Sequence, residues 1–440
     1  MSKPRTRRLR DFVALFWMLC AVFVVFGRSI FPGYEWLAIH MILLGAVSHS
    51  VLVWSEYFAH TLLKSPPTQR ENKWQDARIL AFAAGALAVF IGYLAKIWIC
   101  VLVGAVLVVI AVIWHVVHLE RKIRTSLPGR FLIVVRYYEI SGILLPIGAT
   151  FGALLAWGVS DEWRGRLLIA HISVNLLGWV GFTVIGTLIT LWPTLLRTRM
   201  HDSAQKWAKQ ALAPLCCGLF VIVCGALSGY RLITAMGLVV YLVGLLWWGR
   251  SLISPMRAKG IREYAPAAVA CAALWALLGL GVVGWALVTS PSWGDVTQYL
   301  PFIGVLFAAG FGIQILIGAL SYLIPSLIGQ GPATVRAVQA RMNFAATFRL
   351  VTPNVALLLW IFPTEDGVRA ALMALTVLVY AAFIPVMMSA IFTGLRVRRE
   401  SGENRAFFVD PDPHRRQNLL QGNKSSVGSG SKERHGQVAK

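Results

Sequence analysis

HISVNLLGWVGFTVIGTLITLWPTLLRTRM, residues 171–200, decides the fold. It opens on a histidine, runs through about twenty apolar or small residues, and stops at a proline and a basic flank. A stretch of that kind crosses a bilayer as a helix, because only a helix satisfies its backbone groups internally. The same pattern recurs, and twelve spans are expected at roughly 12–31, 36–59, 79–95, 98–118, 132–157, 167–195, 210–228, 231–249, 264–288, 299–327, 342–362 and 370–395. The chain reads as all-α and polytopic. Composition agrees: of 440 residues, 57% are hydrophobic and only 14% charged, with a mean hydropathy of +0.68, far outside soluble globular usage.

Placing the N-terminus on the cytoplasmic side puts 33 of the 41 Lys and Arg residues in cytoplasmic segments, as the positive-inside rule requires. The outer side receives Arg28, Lys96, Arg164, Arg166, Arg231 and Arg369, while Arg136 and Arg349 fall within spans. Both termini are therefore expected in the cytoplasm of a cell-membrane protein. The net charge of +22 reads as topology, not as a nucleic-acid footprint. Residues 1–395 form the expected membrane domain. Residues 396–440, polar, Gly- and Ser-rich and basic, form an expected disordered cytoplasmic tail. The six cysteines all fall in spans without a CxxC pair, which argues against a disulfide framework.

A repeat underlies the spans. Gly45, Gly178 and Gly310 stand 133 and 132 residues apart, as do His60, Pro193 and Pro325, each followed by Thr-Leu-Leu or Ser-Leu-Ile. Four spans separate successive copies, so the twelve parse as three sets of four. On this alignment His40 corresponds to Ser173, not His171. Two residues turn a helix by about 200°, so His40 and His171 need not meet.

Ionisable groups in lipid cost about 2.5–3.5 kcal/mol each on insertion scales, so each needs a partner or a task. His40 and His171 lie at one depth near the outer surface, where each is either a ligand for heme iron or copper, as neutral imidazole can be, or a hydrogen-bond partner of a neighbouring helix and no more. Asn175 and Gly178 follow His171 at i+4 and i+7, giving a polar support and room for a flat ring or a close helix. His49, nine residues from His40, faces the other way, as a second ligand or an interhelical hydrogen-bond former. His115 is the candidate ligand of a cytoplasmic-side cofactor, while His118 and His60 read as interfacial. Arg136 and Glu139, at i and i+3, can pair. Arg349 reads as a counter-charge to Glu139 or to a heme propionate, or as a snorkelling side chain.

The stretches HMILLGAVSHSVLVWSEYFAHTLL (40–63), VRYYEISGILLPIGA (135–149), residues 170–200 and GALSYLIPSLIGQGPATVRA (318–337) resemble the membrane portion of actinobacterial multicopper oxidases or copper nitrite reductase-type proteins. More distantly, three sets of four helices with outer-end histidines on helices two and six resemble the heme-copper oxidase large subunit and the nitric-oxide-response heme-copper membrane proteins. His40, His115 and His171 match histidines of the first family. The pattern departs where Tyr57 replaces histidine and His60 replaces aspartate, and no copper domain is expected in the 45-residue tail. Helix ten lacks a histidine and helix seven a His-His pair, so the resemblance does not extend to an oxygen-reducing centre.

The resemblance implies an oxidoreductase-type membrane protein holding b-type heme, copper or both. It would relay electrons from quinol or another membrane redox protein to an outer-face copper nitrite reductase or multicopper oxidase. In this reading His40 and His171 are heme or copper ligands, His49 a further metal ligand, and His115, Asn175 and Arg349 contribute to cofactor binding. The alternative is a cofactor-free transporter or channel, with His40, His171, Glu139 and Arg349 along a polar path and helices broken at Pro146, Pro353 and Pro385. A third is an anchoring partner for another membrane subunit.

Overall fold

The structure, a computed structural model, describes residues 5–126, 129, 131–328, 331–362 and 365–400. All regular structure among these residues is helical. Eleven helices are long and apolar enough to cross a membrane, and a shorter apolar helix, α1 (Arg5–Phe26), precedes them. The eleven are α2 (Tyr34–Leu62), α3 (Gln69–Ala95), α4 (Trp98–Thr125), α5 (Leu132–Trp157), α6 (Asp161–Leu195), α7 (Ala204–Ser228), α8 (Arg231–Lys259), α9 (Tyr264–Thr289), α10 (Leu300–Ile328), α11 (Pro332–Ile361) and α12 (Asp366–Glu400). A short amphipathic turn of helix at Trp293–Gln298, outside the expected spans, leads into α10. α12 continues through Glu400, five residues into the expected tail; residues 401–440 lie outside the described residues.

Three helices form the core. The apolar windows of α2, α6 and α10 are 56, 72 and 78% buried, against 22–44% in the other eight candidate spans. The outer helices turn Leu80, Ile110, Phe220, Leu246 and Phe392 outward, a belt of large apolar side chains that suits lipid. The protein is thus a multi-pass bundle with a protein-facing centre.

Each central helix changes winding at one place. Met41–Val47 in α2, Ser173–Gly181 in α6 and Leu306–Gly312 in α10 are π-helical. Wider turns mispair some carbonyls, which cannot be left bare in a bilayer. Side chains take them up: Ser48 Oγ donates to Leu43 O (2.8 Å), Tyr241 OH to Leu177 O (3.0 Å) and Gln314 Nε2 to Gly310 O (2.9 Å). Ser48 Oγ also accepts from Trp179 Nε1 at 2.8 Å, joining the first π segment to the second. Gly45, Gly178 and Gly310 all sit in these segments. Each packs against the helix before it, on Trp17, Leu144 and Trp275.

The peripheral helices pair as antiparallel hairpins, α3 with α4, α7 with α8, and α11 with α12. Absent side chains let the first two hairpins close. A Cβ on Gly85 would lie 2.7 Å from Gly104 O, and one on Gly218 would lie 2.4 Å from Tyr241 N. Such contact is the usual adhesive of helices in lipid. α11 is not continuous: the α-helix stops at Met342 and restarts at Ala346, with Ala345 at φ 50°. α1 packs against α12. Beside that seam lies a cavity of about 800 Å³, lined mainly by apolar side chains, with Arg28, Arg369, Glu35 and Asp366 among its polar members.

Gly218→Ala is expected to destabilise the bundle by about 1–3 kcal/mol, because the new methyl meets backbone that cannot move aside. Gly249→Ala, in α8 with open space around it, serves as the control. A thermal melt in detergent should show a lower midpoint for the first variant and no loss for the second.

Candidate functional site

The structure brings His40 and His171 together. Their rings lie 6.3 Å apart, centroid to centroid, at an interplanar angle of 27°. Each stands just ahead of a π-helical segment, on α2 and on α6, the kind of winding change that often accompanies a site. His40 also stacks on Trp36 (3.9 Å), and Trp36 on Tyr93 of α3 (3.7 Å). Four rings therefore run in file from α3 through α2 to α6. The objection from repeat register fails because the two histidines sit on different helices, and nothing requires equivalent positions for their side chains to converge.

Hydrogen bonds fix both imidazoles. His40 Nδ1 donates to Trp36 O at 2.8 Å, and His171 Nδ1 to Gly148 O of α5 at 2.9 Å. A carbonyl only accepts, so each Nδ1 carries the proton and each Nε2 keeps its lone pair. Asn175 Nδ2 lies 3.3 Å from His171 Nδ1 but donates to His171 O at 2.8 Å, so the Gly148 carbonyl sets the tautomer. The glycines of α5 make this possible: the space above Gly148 holds the Asn175 amide, and that above Gly152 holds the His171 ring. Pinned Nδ1 and free Nε2 is the arrangement of a metal-ligating histidine. Both residues are part-buried.

Metal–nitrogen bonds of about 2.0–2.1 Å put two imidazoles that share one metal through Nε2 roughly 5–6 Å apart between centroids, whether the metal is a lone ion or the iron of a macrocycle. A flat macrocycle needs a slot, and the side chains close it. Leu144 and Leu219 fill the space expected beside Gly178, His171 itself occupies that beside Gly152, and Trp36 covers one face of His40. The 800 Å³ cavity has no histidine in its lining. No slot for a flat ring is left beside Gly178 or Gly152.

The other candidates go elsewhere. His49 is buried on α2, its Nε2 donating to Arg10 O of α1 at 2.6 Å, which is the interhelical hydrogen bond and not a ligand for the outer pair. Arg349 is also buried, but it does not face Glu139. Its Nη1 donates to Met342 O (2.9 Å) and Phe344 O (3.3 Å), and its guanidinium lies 4.2 Å over the Tyr264 ring. The arginine thus serves the carbonyls freed by the break in α11. Glu139 pairs with Arg136 at 2.7 Å, as their spacing implies.

His115 belongs to a second, deeper cluster at the bundle end that carries Arg5. Its Nε2 is 2.9 Å from Ser55 Oγ, and its Nδ1 lies 3.7 Å from Glu56 Oε2. Glu56 and Arg78 form an ion pair of 2.5 Å with both side chains about 2% exposed. His60 and His118, read as interfacial, both turn toward Glu56. The sequence reading passed over Glu56 and Arg78. The signal was present in spacing: Glu56 and His60 at i, i+4 on α2, with His115 and His118 at i, i+3 on α4, place four such groups on two facing stripes.

No protein-family model and no curated protein sequence matches the chain.

Arg78→Met is expected to cost about 3–5 kcal/mol, because it leaves a carboxylate buried without its counter-charge. Adding Glu56→Gln to that variant removes the orphaned charge and should restore most of the loss. Unfolding in mixed micelles measures both; equal instability of the single and double variants would show that charge pairing is not the cause.

Proposed function

We propose that the chain is a membrane-embedded copper redox protein whose twelve helices form three sets of four, α1–α4, α5–α8 and α9–α12, around α2, α6 and α10. The spacing of the π-helical segments supports the repeat: they begin at Met41, Ser173 and Leu306, 132 and 133 residues apart. The hairpin glycines support it for two sets, since Gly85, Gly92 and Gly104 recur after 133 residues as Gly218, Gly225 and Gly237, in the same close contacts. Contact of α1 with α12 is what a closed ring of three sets would need. This arrangement is the one proposed to be shared with the heme-copper oxidase large subunit and, more closely, with the membrane portion of multicopper oxidase and copper nitrite reductase-type proteins.

The observation that carries the function is the convergence of two histidines with pinned Nδ1 and free Nε2. His40 and His171 hold a copper ion, for which imidazole in a weakly polar setting is a suitable ligand. When bound, copper supplies one-electron chemistry. The chain supplies position and potential: Trp36 O and Gly148 O orient the rings and raise their basicity, and Asn175 holds the His171 backbone. Trp36 and Tyr93 shield one side, so access is from the part-exposed edge. By the distribution of Lys and Arg, that edge faces outward across the cell membrane, with both termini in the cytoplasm. Quinol or another membrane redox protein is the electron donor, and an outer-face copper protein the acceptor.

Purified full-length protein loaded with copper and washed is expected to hold an ion with nitrogen hyperfine structure in its paramagnetic resonance. In protein whose inner histidine cluster is disabled by His60→Ala and His118→Ala, His40→Ala and His171→Ala should each abolish that signal, and His201→Ala, at a ring stacked on Trp207 away from the pair, should keep it. Wild type without copper, or a signal indifferent to both substitutions, overturns the reading. A reducible heme band lost with His171→Ala would assign the pair to heme and overturn the copper reading.

A further inference from the structure

We propose that Glu56, His60 and His118 form a second metal site, for one divalent transition ion of the zinc class, at the bundle end opposite His40. Glu56 Oε1 lies 3.6 Å from His60 Nε2 and 3.4 Å from His118 Nε2, and the three ligand atoms lie within 4.8 Å of one another. For bonds of about 2.0–2.1 Å, two ligands of a tetrahedral ion stand about 3.3 Å apart. The atoms are therefore already near the edges of a coordination tetrahedron. Small side-chain rotations complete it.

The two nitrogens are otherwise unaccounted for. His60 Nε2 and His118 Nε2 are buried with no hydrogen-bond partner among the described residues, and the His60 side chain is only 10% exposed. A buried polar atom without a partner costs on the order of 1–3 kcal/mol, so their shared direction toward one carboxylate oxygen calls for an occupant.

Supporting contacts have the form expected around a metal. His60 Nδ1 donates to Ser65 O at 2.7 Å, which leaves the lone pair on Nε2. The other oxygen of Glu56, Oε2, is held by Arg78 at 2.5 Å with His115 beside it, so the carboxylate is aimed by one oxygen and offers the second. Lys122 closes the site from the loop side, bonded to Glu71 at 2.6 Å and to Ser65 Oγ at 3.2 Å. Two nitrogens and one oxygen leave a fourth position for water or a small anion. A dication beside Glu56 and Arg78 adds positive charge, which favours an anion there. Neutral imidazole and carboxylate suit zinc-class ions and not calcium or magnesium, which take oxygen donors.

This site stands independently of the copper proposal, and the variants separate them. The probe is cobalt(II), added to full-length protein in detergent, with visible ligand-field bands reporting tetrahedral coordination and metal analysis giving stoichiometry. The His40→Ala/His171→Ala double variant is expected to keep the tetrahedral cobalt spectrum. His118→Ala removes a side chain whose Nε2 has no hydrogen-bond partner among the described residues, and a thermal melt of the variant verifies that the fold is kept. Its cobalt affinity should fall by more than the roughly 10–100-fold that loss of an outer partner costs. His60→Ala should behave likewise, with zinc competing for cobalt in wild type. Absence of a tetrahedral spectrum in wild type, or its persistence in both His118→Ala and His60→Ala, overturns the proposal and leaves the cluster a hydrogen-bonded ion pair.

Discussion

Every backbone carbonyl in a bilayer must find a donor, and this bundle is organised around the places where regular helix does not supply one. The three most buried helices each widen into a π-helical segment. Ser48, Tyr241 and Gln314 then provide donors to carbonyls of those segments. Two of these donors reach further. Ser48 receives Trp179, and Gln314 exchanges hydrogen bonds with Asn354 of α11. The core is thereby tied laterally by polar groups in a setting where apolar contact alone gives little preference for one neighbour over another.

The same constraint explains the broken helix α11. Between Met342 and Ala346 the chain leaves α geometry, and Arg349 returns its guanidinium to the carbonyls of Met342 and Phe344 while lying over Tyr264. A cation so placed is structural, although its depth in the sequence resembles that of a cofactor counter-charge. By contrast, α2 carries two groups that the fold leaves with lone pairs to spare. His40 and Glu56 are sixteen positions apart, about 24 Å along the helix axis, so the two clusters face opposite sides of the bundle.

Much of this was legible in the residues. Runs of about twenty apolar residues give a helical multi-pass bundle, and the pairing of Arg136 with Glu139 follows from their spacing. His40 and His171 were legible as residues of equal depth but not as neighbours, because helix contacts between distant spans leave no local mark. The π-helical segments were invisible: their residues are ordinary apolar ones, and the winding change is set by tertiary contacts. Glu56 and Arg78 escaped for a related reason. Each sits near a span end, where a charge normally reaches water, and only the packing of α2, α3 and α4 shows that neither does.

The seam between α1 and α12 carries a consequence for assembly. These are the described helices furthest apart in sequence, so their contact has the largest loop-closure separation in the bundle. A chain delivered to the membrane helix by helix must hold one wall of that groove open until the other arrives. The 800 Å³ hollow beside it shows that side chains do not fill this late-closing seam completely.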